Sequence, residues 1–475
     1  MHPVAAAVPR LAALAERESV RRIAAAFEAA GHELALVGGP VRDAVLDRRV
    51  SDLDLTTSAR PDETLRILKP IAGQTWDVGR AFGTIAARVA GETVEVTTYR
   101  SDVYIPSSRK PEVRFGDTLD GDLQRRDFTA NAIAVRLPSL AIVDPAGGIE
   151  AILQRRLTTP SPAVESFDED PLRMLRAARF TSQLGFALDE EGVAAMRALT
   201  DRIDVVSAER VRDELVKLLS TDDPVPGLEL LVDTGLAARV LPELPALELT
   251  SDGAHRHKDV YRHSLTVLQQ AIALEHRRHP GEEPDVVLRT AALLHDIGKP
   301  ATRRFEAGGT VTFHHHDVVG AKMARKRLKA LRWPNSQVDD VAMLIELHQR
   351  FFGYGDAAWT DSAVRRYVKD AGPQLERLHM LTRADVTTRN ERKARRLSRT
   401  YDELEERIAQ LADQEQLDAM RPDLDGQAIM AELGLKPGPD VGAAYRFLLE
   451  LRIEEGPLGP EEAASRLHAW WATRQ

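Results

Sequence analysis

Asp52 and Asp54 stand two positions apart in the run Asp52-Leu53-Asp54-Leu55-Thr56. A strand turns alternate side chains to opposite faces, so both carboxylates point one way and Leu53 and Leu55 the other. Paired carboxylates on a rigid strand give oxygen ligands to Mg²⁺ and leave room for substrate phosphates, the donor set of phosphoryl transfer. Just upstream lies Val37-Gly38-Gly39-Pro40-Val41-Arg42-Asp43. Gly38 and Gly39, between a strand and a helix, allow close backbone approach, and the helix N-terminus offers a positive dipole end to a phosphate. Arg42, one turn into that helix, is placed to reach a triphosphate. A third carboxylate is needed to complete the metal cage, and Glu95, in the alternating strand Thr93-Val94-Glu95-Val96-Thr97, is the candidate.

A second group of residues is rich in histidine and aspartate: His263, His295-Asp296, His314-His315-His316-Asp317, His348 and Asp385. Imidazole with carboxylate suits Mn, Fe, Ni, Co or Zn better than Ca.

The elements that must carry these residues follow from pattern. Residues 1–150 mix helix and strand: a helix near 10–30, a strand at Leu34–Val37, a helix after the glycines, the aspartate strand, a helix at 61–70, and strands near Ile85–Val89 and Thr93–Thr98. Segments Ala130–Val135 and Ile142–Asp144 close this region. Residues 101–124, polar with Pro106, Pro111, Gly116 and Gly121, read as a loop. Beyond 150 strand signals nearly vanish. The expected fold is an α+β head, a small mixed sheet with helices, followed by an all-α body. The expected domains are a head over 1–150, a helical neck over 151–250, a histidine-rich domain over 255–400 and a C-terminal helical region over 401–475, with a break near Thr250-Gly253.

The chain has 475 residues, a net charge of −9 and no cysteine. Disulfides and cysteine-based metal sites or nucleophiles are excluded. The charge does not advertise nucleic-acid binding, but local patches bind phosphates whatever the net charge. One basic run stands at Arg389–Arg399. No signal peptide and no membrane span is read, so a cytoplasmic protein is expected.

The Gly38–Asp43 motif with Asp52-Leu53-Asp54 resembles motif A of the class II tRNA nucleotidyltransferases, the CCA-adding enzymes, in the polymerase-β-like superfamily. Arg125-Arg126-Asp127-Phe128-Thr129-Ala130-Asn131-Ala132 resembles their motif B. Glu169-Asp170-Pro171-Leu172-Arg173-Met174-Leu175-Arg176-Ala177-Ala178-Arg179-Phe180 resembles motif D, and Ser207-Ala208-Glu209-Arg210 with Glu214 the next helical motif. The resemblance implies addition of C, C and A to tRNA from CTP and ATP, with Mg²⁺ on Asp52 and Asp54, a nucleotide contact from Arg126, Arg176 and Arg179 holding the nucleotide or the neck, and the helices of 401–475 holding the tRNA. It also implies a base-reading pair, Asp170 and Arg173, which at i, i+3 would share a helix face. A carboxylate accepts from an exocyclic amine and an arginine donates to a ring nitrogen. That suits cytosine and adenine, whereas guanine and uracil present the reverse. Phe128 and Phe180 read as core.

Leu293-Leu294-His295-Asp296-Ile297-Gly298-Lys299 resembles the HD phosphohydrolase superfamily, whose domain is a helical bundle. The resemblance makes His263, His295, Asp296 and Asp385 ligands of a divalent transition metal. His316 and His348 fit the downstream positions, with His314 and His315 as alternatives. A poly(A) polymerase or A-only adder would use the same head motifs. An HD phosphohydrolase with an RNA-gripping head is the rival of another class. No protein partner and no membrane is expected.

Overall fold

The structure, a computed structural model, describes residues 3–50, 52–100, 115–248, 260–306, 311–353, 359–388, 390–415 and 421–474. Two compact units divide the chain, Met1–Pro242 and Glu243–Gln475. The first opens with α1 (Pro3–Ala15) and α2 (Glu18–Ala29). The one helix expected over 10–30 is therefore two, parted at Arg17, whose ψ of 137° leaves the helical region.

Seven strands form the sheet of this unit: β1 (Leu34–Val37), β2 (Leu53–Thr57), β3 (Gln74–Trp76), β4 (Thr84–Val89), β5 (Glu92–Thr98), β6 (Ala134–Leu137) and β7 (Ile142–Val143). Their order is β3-β4-β5-β2-β1-β6-β7. The β2–β5 pair is parallel and every other pair antiparallel. Leu53 and Leu55 of β2, and Val94 and Val96 of β5, are all buried. That burial fixes the register, because a one-residue slip would turn the whole apolar set to the other face. The register sets Asp54 beside Glu95.

α3 (Gly39–Val45) follows β1 and α4 (Pro61–Leu68) follows β2. The loop expected over 101–124 is only partly one. Residues 101–114 lie outside the described residues, but α5 (Leu119–Gln124) is a helix. The Thr118 Oγ1 accepts from the Gly121 N–H at 3.2 Å, and Leu119 and Leu123, one turn apart, are buried. Gly121, a poor helix former, hides this turn in the sequence.

α6 (Gly148–Leu153) leads to β8 (Arg156–Leu157), which pairs in parallel with β9 (Ala187–Leu188). Around them lie α7 (Ala163–Glu169), α8 (Leu172–Leu184), α9 (Glu190–Ala198), α10 (Ala208–Leu219), α11 (Val225–Asp233) and α12 (Ala237–Val240). α8 is the axis, packed on α10 and α11. A Cβ on Gly227 would come within 2.2 Å of the Ala178 carbonyl oxygen, so only glycine lets α11 lie this close to α8.

The second unit is helical. α13 (Val260–Arg278), α14 (Val286–Leu294), α15 (Lys299–Thr302), α16 (His316–Ala330), α17 (Asn335–Leu347), α18 (Asp361–Ala371) and α19 (Leu375–Ala384) come first, with a small hairpin of β10 (Arg304–Phe305) and β11 (Val311–Thr312) between α15 and α16. α14 is buried from Val287 to Leu294, as a helix in the middle of a bundle must be, and α13, α17 and α19 pack on it. α20 (Glu391–Glu415) runs unbroken through residue 400, so the boundary expected there falls inside a helix. The break expected near Thr250-Gly253 lies outside the described residues. α21 (Gly426–Leu433), α22 (Pro439–Glu455) and α23 (Pro460–Ala472) close on an apolar cluster that includes Ile429, Leu448 and Leu467. Among the described residues no helix is long and apolar enough to cross a membrane.

Candidate nucleotidyl-transfer site and metal centre

The carboxylates expected to work together are brought together. Asp54 lies on β2, half-buried, and Glu95 is its register partner on β5. Asp52 immediately precedes β2 and is exposed. Burial pushes the Asp54 carboxyl up to about 6, the negative charges of Glu95 and Asp52 add to the rise, and Arg126 and Arg42 oppose it. A carboxylate that must share its field with two others is short of a cation, and an all-oxygen set suits a hard divalent metal.

The glycine turn borders this cluster. Gly38 has φ +74° and caps α3. A Cβ there would lie 3.2 Å from the Arg126 Nη1, so glycine serves both the backbone and the arginine. Arg126 donates to Asp122 at 3.0 Å, and Asp122, buried, also accepts from the Arg100 N–H. Asp122 was not singled out from the sequence, although its i, i+4 spacing to Arg126 was there to be read.

The other motif arginines are not surface groups waiting for phosphate. Arg42 is buried, donates from Nε and Nη2 to Asp43 at 2.8 and 3.0 Å, and from Nη1 to the Asn131 Oδ1 at 2.6 Å. This guanidinium, expected to reach a triphosphate, braces the turn through Asp43 and Asn131. Asn131 donates in turn to Asp127 at 3.1 Å. Asp127 also accepts from the Phe128 N–H and from Arg176 on α8, the latter at 2.8 Å from Nε. Burial alone would raise the Asp127 carboxyl, but Arg176 and the hydrogen bonds outweigh it and hold the group well below the usual carboxylate range. Arg176 and Arg179 lie 3.9 and 3.4 Å from the buried Glu214 of α10. Burial, then the neighbouring Arg176, lowers the Arg179 guanidinium to about 10. Phe128 and Phe180 meet edge-on at 5.7 Å inside the core, and the Arg179 guanidinium lies 4.3 Å from the centre of the Phe180 ring.

The shared helix face expected of Asp170 and Arg173 does not form. Pro171 disfavours a helical residue before it, and Asp170 sits between α7 and α8 with φ −134° and ψ 94°. The Asp170 Oδ1 accepts from the Leu172 N–H at 3.2 Å, while Oδ2 lies 3.5 Å from Arg210. Arg173 is buried and donates from Nη1 to the Ser166 Oγ at 2.7 Å and from Nη2 to the Arg125 carbonyl at 2.7 Å.

In the second unit the histidines converge. Donor atoms of His263, His295 and Asp385 lie within 4.8 Å of one another, and so do those of Asp296, His316 and His348. Asp296 bridges the two sets: its Oδ2 lies 3.3 Å from the His295 Nε2 and 3.6 Å from the His263 Nε2, and its Oδ1 lies 3.3 Å from the His316 Nε2. Each imidazole is oriented from behind. The Nδ1 atoms of His295, His316 and His348 meet the carbonyls of Ala292, Phe313 and Ile345, and that of His263 meets the Thr387 Oγ1 at 3.1 Å. All four rings thus present Nε2 inward, with Nδ1 held from behind as it is in metal-ligating histidines. The buried Nε2 atoms of His295 and His348 have no hydrogen-bond partner, as fits ligands of a metal. Burial favours a neutral His295, yet Asp296 and Asp385 hold a proton on it up to about 10, a field that would hold a metal cation as well. Burial and His295 lower His348 to about 4, leaving it neutral. A Cβ on Gly298 would fall 2.1 Å from the His316 carbonyl oxygen, so Gly298 lets α16 bring His316 up to Asp296. His314 and His315 are exposed and lie outside both ligand sets.

The sheet, the carboxylate cluster and the histidine centre define a nucleotidyltransferase head joined to an HD domain. The Poly A polymerase head domain family matches residues 34–158, the probable RNA and SrmB-binding site of polymerase A matches 185–247, and the HD domain family matches 260–418. The chain is 35% identical over 446 residues to the A-adding tRNA nucleotidyltransferase of Deinococcus radiodurans, covering 92% of this chain and 95% of that one. It therefore belongs to the tRNA nucleotidyltransferase family. It is 45% identical over 217 residues to the CCA-adding enzyme of Geobacillus kaustophilus, a stretch of 46% of this chain and 52% of that enzyme. The crystal structure of the Bacillus stearothermophilus CCA-adding enzyme in complex with CTP superposes with a TM-score of 0.68 at 25% identity, over 100% of this chain and 99% of that one. Membership of this family implies dependence on a divalent metal.

Two outcomes follow from the geometry. Asp127→Asn takes from Arg176 its hydrogen-bonded carboxylate, leaving Glu214 at 3.9 Å, and costs about 3–5 kcal/mol of stability, read by denaturant unfolding at neutral pH. Because the folded-state pKa of Asp127 is depressed, its stabilisation is complete above the unfolded carboxylate value of about 3.9 and drains away as pH falls below it, so the deficit of the variant shrinks in acid. Thr387→Val removes the support of His263 and lowers metal affinity by about 10–100-fold, measured by metal titration, while Thr387→Ser restores it.

Proposed function

We propose that this chain adds C, C and A in turn to the 3′ end of tRNA, from CTP and ATP, with Mg²⁺ held by Asp52 and Asp54 beside Glu95. The observation that carries this reading is the trio of carboxylates: the β2–β5 register sets Asp54 beside Glu95, and Asp52, just before β2, shares the field at Asp54. Mg²⁺ bound there would activate the terminal 3′-hydroxyl and neutralise the leaving pyrophosphate. Arg126, against Gly38, is the arginine nearest to hand for the triphosphate. Gly39 keeps the backbone beside it open to phosphate approach.

For base choice, Asp170 offers an acceptor to the exocyclic amine of cytosine or adenine. Arg173 reads the ring nitrogen once its donors exchange the Ser166 and Arg125 oxygens for the base, a swap that leaves the number of hydrogen bonds nearly unchanged. Guanine or uracil would leave both groups facing the wrong partner. Each buried mismatch costs about 1–3 kcal/mol, so two give discrimination on the order of 10²–10⁴. The neck arginines Arg176 and Arg179 serve by holding α8 in place.

The intact histidine centre favours a second activity, a metal-dependent phosphohydrolase in the HD domain. His263, His295, Asp296 and Asp385 would hold one transition metal, and Asp296, His316 and His348 would bind a second or face a substrate phosphate.

Asp52→Ala and Asp54→Ala are expected to abolish nucleotide addition by the folded protein, and retention of wild-type addition by either would contradict the metal assignment. Asp170→Ala combined with Arg173→Ala loses discrimination against GTP and UTP, read as the ratio of kcat/KM values. Unchanged ratios would refute the template.

A further inference from the structure

The histidine centre holds one contact beyond its six ligand residues. Gln349 follows His348 in the turn after α17. The residue is exposed, yet its side chain turns inward, and its Nε2 stands 3.0 Å from the His316 Nε2. Fixing a long exposed side chain in one rotamer costs entropy, so the inward turn has to be repaid by what it meets. The His316 Nδ1 faces the Phe313 carbonyl at 2.8 Å, so the ring proton sits there and Nε2 carries a lone pair. That lone pair accepts an amide N–H from Gln349, and it is the one a metal would take.

The spacing says what the glutamine does when a cation arrives. Bonds of about 2.1 Å at octahedral to tetrahedral angles set the ligand atoms of one metal roughly 3.0–3.4 Å apart. The Asp296 Oδ1 stands 3.3 Å from the His316 Nε2, and the Gln349 amide 3.0 Å from the same nitrogen. Both are spaced as neighbours of His316 on one ion. The end of a glutamine side chain is two-fold, so a half turn of the amide puts Oε1 where the N–H was and moves nothing else. His348, whose buried Nε2 has no hydrogen-bond partner, supplies the remaining donor.

We infer that Gln349 is the fourth protein ligand of the second metal, through Oε1, beside Asp296, His316 and His348. The inference rests on the reading of the histidine centre as a pair of metal sites, and it ranks the two. The first set has the carboxylate of Asp385 and that of Asp296, whose Oδ2 faces His263 and His295 and also accepts from Lys299 at 2.6 Å. The second set has the Oδ1 of this shared carboxylate, two imidazoles and an amide, the last three carrying no negative charge. Affinity for a dication follows the charge of its ligands, so the second metal is the weaker and the more readily exchanged.

The test counts Co²⁺ bound to the full chain by equilibrium dialysis, with its visible absorption as a report on the ligands. Asp52→Ala and Asp54→Ala are carried throughout to disable the head site. This parent binds two Co²⁺ with separate affinities. Gln349→Leu weakens the second by more than about 10-fold, the lower end of what losing an outer-shell partner costs, and leaves the first unchanged. Gln349→Glu, which sets a charged oxygen in the same place, binds the second more tightly than the parent. A glutamine that only braced His316 would give no such tightening. An unchanged or raised second affinity in Gln349→Leu, no tightening in Gln349→Glu, or a parent that binds a single ion overturns the inference. A parent that binds two ions while Gln349→Leu keeps both refutes only the glutamine ligand. A parent that binds no Co²⁺ refutes the metal reading of the centre itself.

Discussion

The first unit depends on one buried carboxylate. Asp127 accepts from Arg176 of α8, from Asn131 and from the Phe128 N–H, and Asn131 takes Arg42 from the helix that follows the glycine turn. Through Arg176 and Arg179 the same network reaches Glu214 of α10. The glycine turn and the helix that carries Arg173 therefore share one set of hydrogen bonds and ion pairs. Such pairs are expensive to desolvate and are kept where position matters more than stability. Nucleotidyl transfer is such a case, because a fixed distance between triphosphate and base is what a protein template must supply.

The two candidate metal sites are built by different means. In the head, burial, Glu95 on the neighbouring strand and Asp52 just before β2 push Asp54 up to about 6, and the oxygen set favours a hard cation. In the HD bundle, four imidazoles are locked by hydrogen bonds to Nδ1, and Asp296 stands between two ligand sets. Asp52 of the first is exposed, whereas His295, Asp296, His316 and His348 of the second are buried. Each lies within its own compact unit of the chain.

Much of this was legible before the structure. The alternation of Asp52-Leu53-Asp54-Leu55 gave the two faces of β2, and the six HD residues were found by type, order and flanking sequence. The parallel partnership of β2 with β5 was not legible, since pairing joins strands far apart in the chain. The surroundings of the motif arginines were hidden for a similar reason. Spacing tells which residues share a helix face but not whether that face is covered, and α8 turns Arg173, Arg176 and Arg179 into protein rather than towards solvent. The expected Asp170–Arg173 face overlooked a signal that was present: Pro171 keeps Asp170 out of the helix. Asp122 could have been found from its i, i+4 spacing to Arg126, whereas a lone threonine such as Thr387 has no pattern in sequence. Residues 101–114 lie outside the described residues, and with them most of the loop expected between β5 and α5.

The account turns on what the head adds. The direct measurement is sequencing of the 3′ ends of tRNA transcripts that lack CCA, or end in C or CC, after incubation with Mg²⁺ and CTP, ATP or both. Two additions from CTP followed by one from ATP, and then a stop, is the predicted result. ATP addition alone, whether one residue on CC ends or a long tail, would contradict it and make the head an A-adder or a poly(A) polymerase.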